Sequence, residues 1–582
     1  MRVPNPNQLS FLWNRLQLAA IASLVCSTGY AHRWMGDDGF INLRVAQNLL
    51  DGFGPVFNRA ERVEAVTSPL WVALIAAVGV SGLRLESLAV GMSLLLSVLG
   101  VTLGALGAYQ VAREHDPNRK ERPVLALGVL IYALIPVSWD YCTSGLENGL
   151  SLAWIGAGYY WMARAGRTPP PDISSPWLFL YVGLGPLIRP ELTILSCAWS
   201  SLLFLRMPQW RRRVLLAILV LALPVLFQLA RMAYFGCLIP NTGIAKEAFD
   251  SRWVQGLRFA HNFYGLYWLY ASIPLALLLS LSAAVTRPQR ALQCFTLASA
   301  CIYLVYVIRV GGGFMHGRLL LPATFALLLP ASNIPLAPSL YLLRPLRRAS
   351  VLGALPAFAI LTLSVYTAST IRVARENEHG IGDERGWYTR MAQHPNPVHA
   401  EDYARFSWYQ SALRDALEIE GALPEASLWL PTGPRTELAT WVQKSEVRGA
   451  VVRTAIGIAG FAMGPEIHII DRLGLSDPVG SRIRIEKRSR PGHEKQLSTN
   501  WILQRFSEPH RKRKETTAAR HELVQRKETH LLELESDCRL LSELNEATQA
   551  PLSLELLARN IGRAFRLTRL RLPPDPSLMH CS

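Results

Sequence analysis

The sequence predicts a polytopic α-helical membrane protein with about eleven transmembrane helices, followed by an extracytoplasmic domain of mixed α/β structure. Of its 582 residues, 50% are hydrophobic and only 18% are charged. Before position 371 the apolar residues form runs of about 15–25 residues, the length that a helix needs to cross a hydrocarbon core. After that position the composition becomes mixed. We expect a membrane domain over 1–370, an α/β domain over 371–505 and a charged helical tail over 506–582.

The basic residues orient the candidate spans. Clusters of Arg and Lys fall in every second loop between the apolar runs, and the positive-inside rule makes these loops cytoplasmic. The amino terminus is then cytoplasmic, and the carboxyl-terminal domain lies outside the plasma membrane. The candidate spans are 16–33, 88–112, 123–139, 147–163, 176–188, 190–206, 213–233, 263–284, 291–309, 317–333 and 350–369.

The apolar segment 68–82 is interpreted as a short helix at the outer membrane interface. Its length of about 15 residues is short for a span, and counting it as one would place the loop at Arg119 and Lys120 outside. The run 16–33 is expected to remain as an anchor, because no small-residue cleavage site precedes "WMGDD".

Several other features have ordinary structural explanations. The net charge of +17 does not indicate nucleic-acid binding, because the positive-inside rule accounts for the basic loops. The small residues in "GVTLGALG", 100–107, are typical of helix packing. The eight cysteines contain no CxxC pair, and whether Cys538 and Cys581 form a disulfide is open. In the soluble part, 451–471 is predicted to contain buried strands and "GLSDP" a turn.

Most acids near the membrane fall on its predicted outer side, so any chemistry is expected to face outward. Asp37 and Asp38 follow the first span and begin a short amphipathic pattern that ends near Gly52, which predicts a helix on the outer surface. One of the two carboxylates is a natural N-cap for that helix. A second carboxylate beside it is not explained by capping, and suggests a bound cation or a group that takes up a proton.

A series of segments, in order, carries a family resemblance. The stretch 37–71 resembles the first extracytoplasmic loop of the GT-C glycosyltransferases, and more narrowly that of the terminal β-(1→2)-arabinofuranosyltransferases. The resemblance covers about residues 34–505. The other segments are "TSGLENGL" (143–150), "LIRPE" (187–191), "YFGCLIPNTGIAK" (234–246), "VGGGFMHGRLLLP" (310–322), "IIDRLGLSDP" (469–478) and "RPGHEK" (490–495).

The resemblance implies a GT-C fold and an inverting transfer of arabinofuranose from decaprenyl-phosphate arabinose to a cell-wall arabinan. It makes Asp37 the general base, with Asp38 as helix cap, cation ligand or acceptor contact. Arg189, Lys246, His316 and Arg318 are candidates for contact with the donor phosphate. Glu147, Glu191 and Asn241 complete the predicted substrate-binding set, although Asn241 could instead shape its turn and Arg189 could simply pair with Glu191.

The cation requirement and the donor sugar stay open. A divalent ion such as Mg²⁺ or Mn²⁺ would take Asp37 and Asp38 as ligands. The family usually has GGDF where this chain has Gly312, Gly313 and Phe314, so one candidate oxygen ligand is missing. Alternatives are another polyprenyl-phosphate-sugar transferase, for example a mannosyltransferase, and a transporter or non-catalytic envelope protein.

Overall fold

The computed structural model describes residues 6–113, 123–165, 175–281, 285–336, 348–371, 379–421, 427–430, 437–440, 447–506 and 528–579. The described chain is mostly helical. The helices of its first part are α1 Pro6–Ala31, α2 Asp37–Leu50, α3 Pro69–Gly79, α4 Leu85–Arg113, α5 Leu127–Ala133, α6 Pro136–Asp140, α7 Asn148–Ala165, α8 Pro176–Gly183, α9 Gly185–Ile188, α10 Thr193–Arg206, α11 Trp210–Phe235, α12 Asn241–Ala245, α13 Trp253–Leu266, α14 Leu269–Leu281, α15 Arg287–Arg309, α16 Leu321–Leu328 and α17 Arg348–Thr370.

Among the described residues, α4, α11 and α15 are long and apolar enough to cross a membrane. The pair α13 and α14 meets the same test as one span bent by 70°. Other predicted spans are broken into shorter helices, because a proline near the start of α6, α9 and α16 begins a new helix. The structure thus shows several apolar helices, and the number of crossings stays a prediction.

The helix ends form two linked sets. In one set, Gln17 donates to the Val124 carbonyl at 2.9 Å, and Gln289 donates to the Ala163 carbonyl at 2.9 Å. The short strands β1 Val124–Leu125 and β2 Ile334–Pro335 pair antiparallel in the same set. In the other set, His32 lies 2.8 Å from Asp140, and the residues after α1 meet those before α7 and α16. The ends of the predicted spans 16–33, 123–139, 147–163 and 317–333 therefore fall in two different sets of contacts.

Close helix packing explains the small residues of α4. A Cβ at Gly156 of α7 would lie 1.9 Å from the Gly100 carbonyl oxygen, and a Cβ at Gly104 would lie 2.8 Å from Phe325 of α16. The prediction that this stretch packs against other helices is confirmed.

The α3 helix has eleven residues. At a rise of about 1.5 Å per residue it is too short to cross a bilayer, as expected for 68–82. The α2 helix differs from its prediction. It begins at Asp37, its N-cap position is Gly36, and neither Asp37 nor Asp38 caps it. It is also largely buried, because it lies between the membrane helices and the C-terminal part of the chain.

The C-terminal part is mixed α/β. Its described elements are α18 Glu384–Ala392, α19 Ser407–Gly421, β3 Ser427–Leu430, β4 Glu437–Thr440, β5 Gly449–Arg453, α20 Gly457–Ala462, β6 Ile467–Asp471, α21 Thr499–Phe506, α22 Glu528–Gln549 and α23 Leu554–Arg569. The strand order is β4-β3-β5-β6, with β4 antiparallel to β3 and the other pairs parallel. The strands predicted within 451–471 are confirmed as β5 and β6.

The described tail shares a core with the sheet. Leu544 of α22 and Leu567 of α23 pack in one hydrophobic cluster with Val452 of β5 and Ile470 of β6. The core therefore continues across the predicted boundary at 505/506. Cys538 of α22 is disulfide-bonded, whereas the other six cysteines that the structure describes are free. Cys581, whose pairing with Cys538 the sequence left open, lies outside the described residues.

Arg44 joins α2 to the C-terminal part. Its buried guanidinium donates to the carbonyls of Gly460, Gly464 and Ile467 around the end of α20, and Nε donates to the Phe57 carbonyl at 2.9 Å. These carbonyls lie near the carboxyl end of a helix, where a cation is stabilising. The contact fixes α2 against α20.

We expect Arg44→Met to destabilise the protein by about 3 kcal/mol or more, because several buried carbonyls would lose their donor. Thermal unfolding in detergent, followed by tryptophan fluorescence, should show an apparent Tm several degrees lower. Arg448→Met is the matched control, because Arg448 and its ion-pair partner Glu466 are both exposed to solvent. Equal Tm values for the two variants would contradict this role of Arg44.

Candidate active site

A cavity of about 400 Å³ lies between the start of α2 and the C-terminal part of the chain. Five groups of side chains contribute to its wall. They are the carboxylates at the start of α2, the residue after α12, the loop before α16, residues of α18 and α19, and three loops of the C-terminal part. The lining residues include Asp37, Asp38, Lys246, Phe314, Met315, Glu384, Trp387, Tyr388, Trp408, Thr454, Ile456, Leu473, Leu475, Arg490 and His493.

Asp37 is held at the cavity by the first residues of α20. Its two carboxylate oxygens accept hydrogen bonds from the backbone N–H groups of Gly457, at 2.9 Å, and Ile458, at 2.8 Å. Gly457 is required for this approach, because a Cβ there would lie 1.8 Å from the Asp37 carbonyl oxygen. Asp37 thus satisfies the first N–H groups of α20 as an N-cap carboxylate would, although α20 begins 420 residues later in the sequence.

Burial raises the pKa of Asp37 to about 6, and the negative charge of Asp38 acts in the same direction. The backbone N–H groups of Ile458 and Gly457 oppose this shift. The carboxylate is therefore ionised at neutral pH yet basic enough to take a proton, which is the pKa that suits a general base.

A chain of ion pairs begins beside Asp37. Arg318 lies 3.9 Å from Asp38 and donates to Glu147 at 3.1 Å. Glu147 also pairs with Arg189, which in turn donates to Glu191 at 2.9 Å. The structure thus brings together five of the predicted site residues from four separate segments. The predicted Arg189–Glu191 pair is present, but Glu147 joins it to Arg318 as well.

Lys246 supplies a further cation at the cavity wall, directly after α12. It lies against Gly492, where a Cβ would be 3.1 Å from the lysine Cε atom. Gly492 has a φ of +83°, so glycine serves both the backbone conformation and the close contact. Arg490 and His493, in the same "RPGHEK" segment, contact the ring of Phe314. The sequence pointed to this segment but not to the roles of Arg490 and His493.

An aromatic wall was not predicted. Trp387, Tyr388 and Trp408 line the cavity, and the rings of Trp387 and Trp408 lie 5.4 Å apart. Tyr388 is packed against Trp34, just before Asp37. These residues lie in soluble sequence whose pattern does not distinguish a binding surface from a core. The density of aromatic residues over 387–409 is the signal that could have indicated them.

Of the predicted site residues, Asp37, Asp38 and Lys246 line the cavity, and Arg318, Glu147, Arg189 and Glu191 form the ion-pair chain that begins at Asp38. Asn241 and His316 belong to neither group. Asn241 donates to the carbonyls of Gly474 and Leu475 and accepts from Ser481, so it shapes the loop that carries Leu473 and Leu475 to the cavity. His316 is buried between Asn262 and Tyr267, with ring nitrogens 2.6 Å from Asn262 Oδ1 and 3.2 Å from the Tyr267 hydroxyl. Both residues position the site's loops.

The described residues do not fit a protein-held divalent cation. Both oxygens of Asp37 already accept backbone N–H bonds, and the guanidinium of Arg318 faces Asp38. Within the described chain, no group of three His, Cys, Asp or Glu side chains is arranged to hold a metal ion. The guanidinium of Arg318 is instead the charged group beside Asp38.

Apolar helices, with a cavity that combines a poised carboxylate and several cations, are features of a membrane glycosyltransferase. Comparison with known proteins defines the class further. A protein of Mycobacterium tuberculosis named terminal β-(1→2)-arabinofuranosyltransferase is 33% identical over 543 residues, which cover 84% of this chain and 85% of that protein. A protein of the same name from Corynebacterium glutamicum is 31% identical over 541 residues, with 83% and 76% coverage.

Residues 407–580 also match the family described as the AftB family C-terminal domain. The chain therefore belongs to the terminal β-(1→2)-arabinofuranosyltransferase family and is a glycosyltransferase, as the resemblance in its motifs predicted. The matched C-terminal region includes α22 and α23, in agreement with the hydrophobic core that they share with the sheet.

We expect Gly457→Ala to reduce transfer activity at least tenfold while the protein remains folded, because the new methyl group would push α20 away from Asp37. Initial rates with membranes that contain equal amounts of each variant provide the measurement. Gly562→Ala, also at a helical glycine but with open space around it, is the control. Activity of Gly457→Ala equal to that of the control would show that the contact does not position Asp37.

Proposed function

We propose that the protein moves arabinofuranose from decaprenyl-phosphate arabinose to a cell-wall arabinan, with inversion at the anomeric carbon and with Asp37 as general base. The observation that carries this proposal is a cavity lined by the shielded carboxylate of Asp37, by Asp38 and by Lys246, with the guanidinium of Arg318 3.9 Å from Asp38. The names of the relatives support arabinofuranose as the sugar.

In this proposal Asp37 removes the proton from the acceptor hydroxyl as the hydroxyl oxygen bonds to the anomeric carbon. The bond from that carbon to the phosphate oxygen breaks at the same time, and its electron pair leaves with the polyprenyl phosphate. Lys246 and Arg318 stabilise the charge that develops on the phosphate. Glu147 and Arg189 hold the Arg318 guanidinium in place through their ion pairs. No second, nucleophilic carboxylate is needed for inversion.

The aromatic wall supports a glycan acceptor. Rings of Trp and Tyr offer flat apolar surfaces with a polar edge, and the C–H face of a sugar packs on such surfaces. Trp387 and Trp408 lie in α18 and α19, whereas Lys246 follows α12 and Arg318 precedes α16. We assign the acceptor to this wall and the donor phosphate to Lys246 and Arg318.

The proposed topology has eleven crossings, with the amino terminus cytoplasmic and the cavity outside the plasma membrane. The two linked sets of helix ends support this alternation. The disulfide at Cys538 supports an extracytoplasmic C-terminal part, because disulfides persist in oxidising compartments. The cavity then lies where a lipid phosphate and a wall polysaccharide meet.

We expect Asp37→Asn to lower the rate of transfer by about 10²–10⁴-fold, the usual contribution of a general base. Because the base must be deprotonated, wild-type kcat/KM should fall as pH drops through about 6. Transfer from a radiolabelled polyprenyl donor by purified protein measures both effects. Asp38→Asn is the matched control and should retain at least a tenth of the activity. If Asp38→Asn were inactive and Asp37→Asn active, the base would be Asp38.

We expect Arg318→Ala to lower transfer at least 10²-fold, whereas a chelator leaves most activity intact, because cationic side chains stabilise the leaving phosphate. Arg448→Ala is the control for removal of an exposed arginine. Loss of all activity with chelator, restored by added Mn²⁺, would instead assign the carboxylate pair to a metal ion.

In the proposed topology, a cysteine at exposed Ser81 reacts with an impermeant maleimide in intact cells, whereas one at Asn118 reacts only after permeabilisation. The background should lack Cys26, Cys197, Cys294 and Cys301, which are exposed in the protein. The reverse labelling pattern would place the cavity on the cytoplasmic side.

A further inference from the structure

The α23 helix has two apolar faces, only one of which is buried. Leu556, Ala564 and Leu567 are buried, and Leu567 packs in the hydrophobic cluster of the C-terminal part. A second stripe recurs at helical spacing, with Leu554 87% exposed, Ile561 37% exposed and Phe565 54% exposed. Ala558 continues this stripe. A soluble helix that buries one face normally presents polar side chains on the other, so the second stripe requires a partner.

The position of α23 indicates that partner. Asn560 donates to the Ala233 carbonyl in the last turn of α11, at 2.9 Å. The hydroxyl of Thr568 accepts from the backbone N–H of Leu238, just after α11, at 2.8 Å. The α23 helix is therefore fixed at the end of α11, at the level where that helix leaves the proposed bilayer.

The surface of α11 is itself lipid-facing in character. The helix is long and apolar, and only 11% of its most apolar 18-residue segment is buried. Its exposed large side chains run along its length and are Trp210, Val214, Leu215, Ile218, Leu221, Val225, Leu226 and Leu229. Thr568, which contacts the segment directly after α11, borders the exposed stripe of α23, so the stripe lies near the outer end of α11.

Charged residues flank the stripe in the way that interfacial helices require. The guanidinium of Arg569 lies over the ring of Phe565, 4.5 Å from its centroid, at the edge of the stripe. Arg559 and Arg563 lie on the far side and pair with Glu546 of α22. A long arginine side chain beside an inserted aromatic ring can keep its charge among lipid headgroups.

We propose that α23 is an interfacial membrane helix whose Leu554, Ile561 and Phe565 insert into the outer leaflet. This contact fixes the height of the C-terminal part above the bilayer, and so sets the cavity at the level of a lipid phosphate. The proposal rests on the topology in the proposed function, but not on the identity of the sugar or of the base.

The test uses the full-length chain in lipid nanodiscs, with a nitroxide attached at Ile561→Cys or Phe565→Cys in a background without the free exposed cysteines. Collision rates with oxygen, which partitions into lipid, and with a water-soluble nickel chelate give the environment of each label. Arg566→Cys, on the other side of the same helix, is the matched control.

We expect oxygen collisions to exceed nickel collisions severalfold at 561 and 565, with the reverse at 566. Nickel access at 561 and 565 equal to that at 566 would overturn the proposal, because the stripe would then face water. Protection from both reagents would also overturn it, because protein and not lipid would cover the stripe. The transfer assay and the labelling of Ser81→Cys separate these results from failure of the proposed function.

Discussion

The contact between α2 and α20 is the interaction on which the candidate active site depends. Asp37 binds the backbone N–H groups at the start of α20, and Arg44, two turns later in α2, binds the carbonyls at its end. Each charged side chain meets the end of α20 that it stabilises. One short helix is thus held at both ends, and the loop 454–456 before it forms part of the cavity wall.

The same contact gives Asp37 its chemistry. A carboxylate in water would be too weak a base at neutral pH, and one that is buried without donors would not ionise. Burial and the neighbouring Asp38 raise the pKa of Asp37, while the N–H groups of α20 oppose this rise. The resulting pKa of about 6 leaves the carboxylate ionised at neutral pH. Structure and reactivity are therefore coupled, because a shift of α20 would change the position of the carboxylate and its pKa together.

The sequence predicted the parts of this arrangement that lie in compact segments. Asp37, Glu147, Arg189, Lys246 and Arg318 were identified from five short motifs, and these motifs do meet at the cavity and in the ion-pair chain beside it. One of Asp37 and Asp38 was expected to cap α2, but neither does, and Asp37 instead binds the start of α20, 420 residues away. Trp387 and Trp408 were missed since aromatic residues in soluble sequence are usually core. His316, next to a glycine, and Asn241, next to a proline, hold loops in place through contacts with distant residues. The sequence alone does not distinguish such a residue from one that binds substrate, because the contacts depend on tertiary packing.

A structure of the protein with an unreactive donor analogue and a short arabinan acceptor would test the central claim most directly. The account predicts a hydrogen bond between the Asp37 carboxylate and the acceptor hydroxyl, while Lys246 and Arg318 contact the phosphate. A donor phosphate beside Asp37, or an acceptor hydroxyl out of reach of that carboxylate, would contradict it.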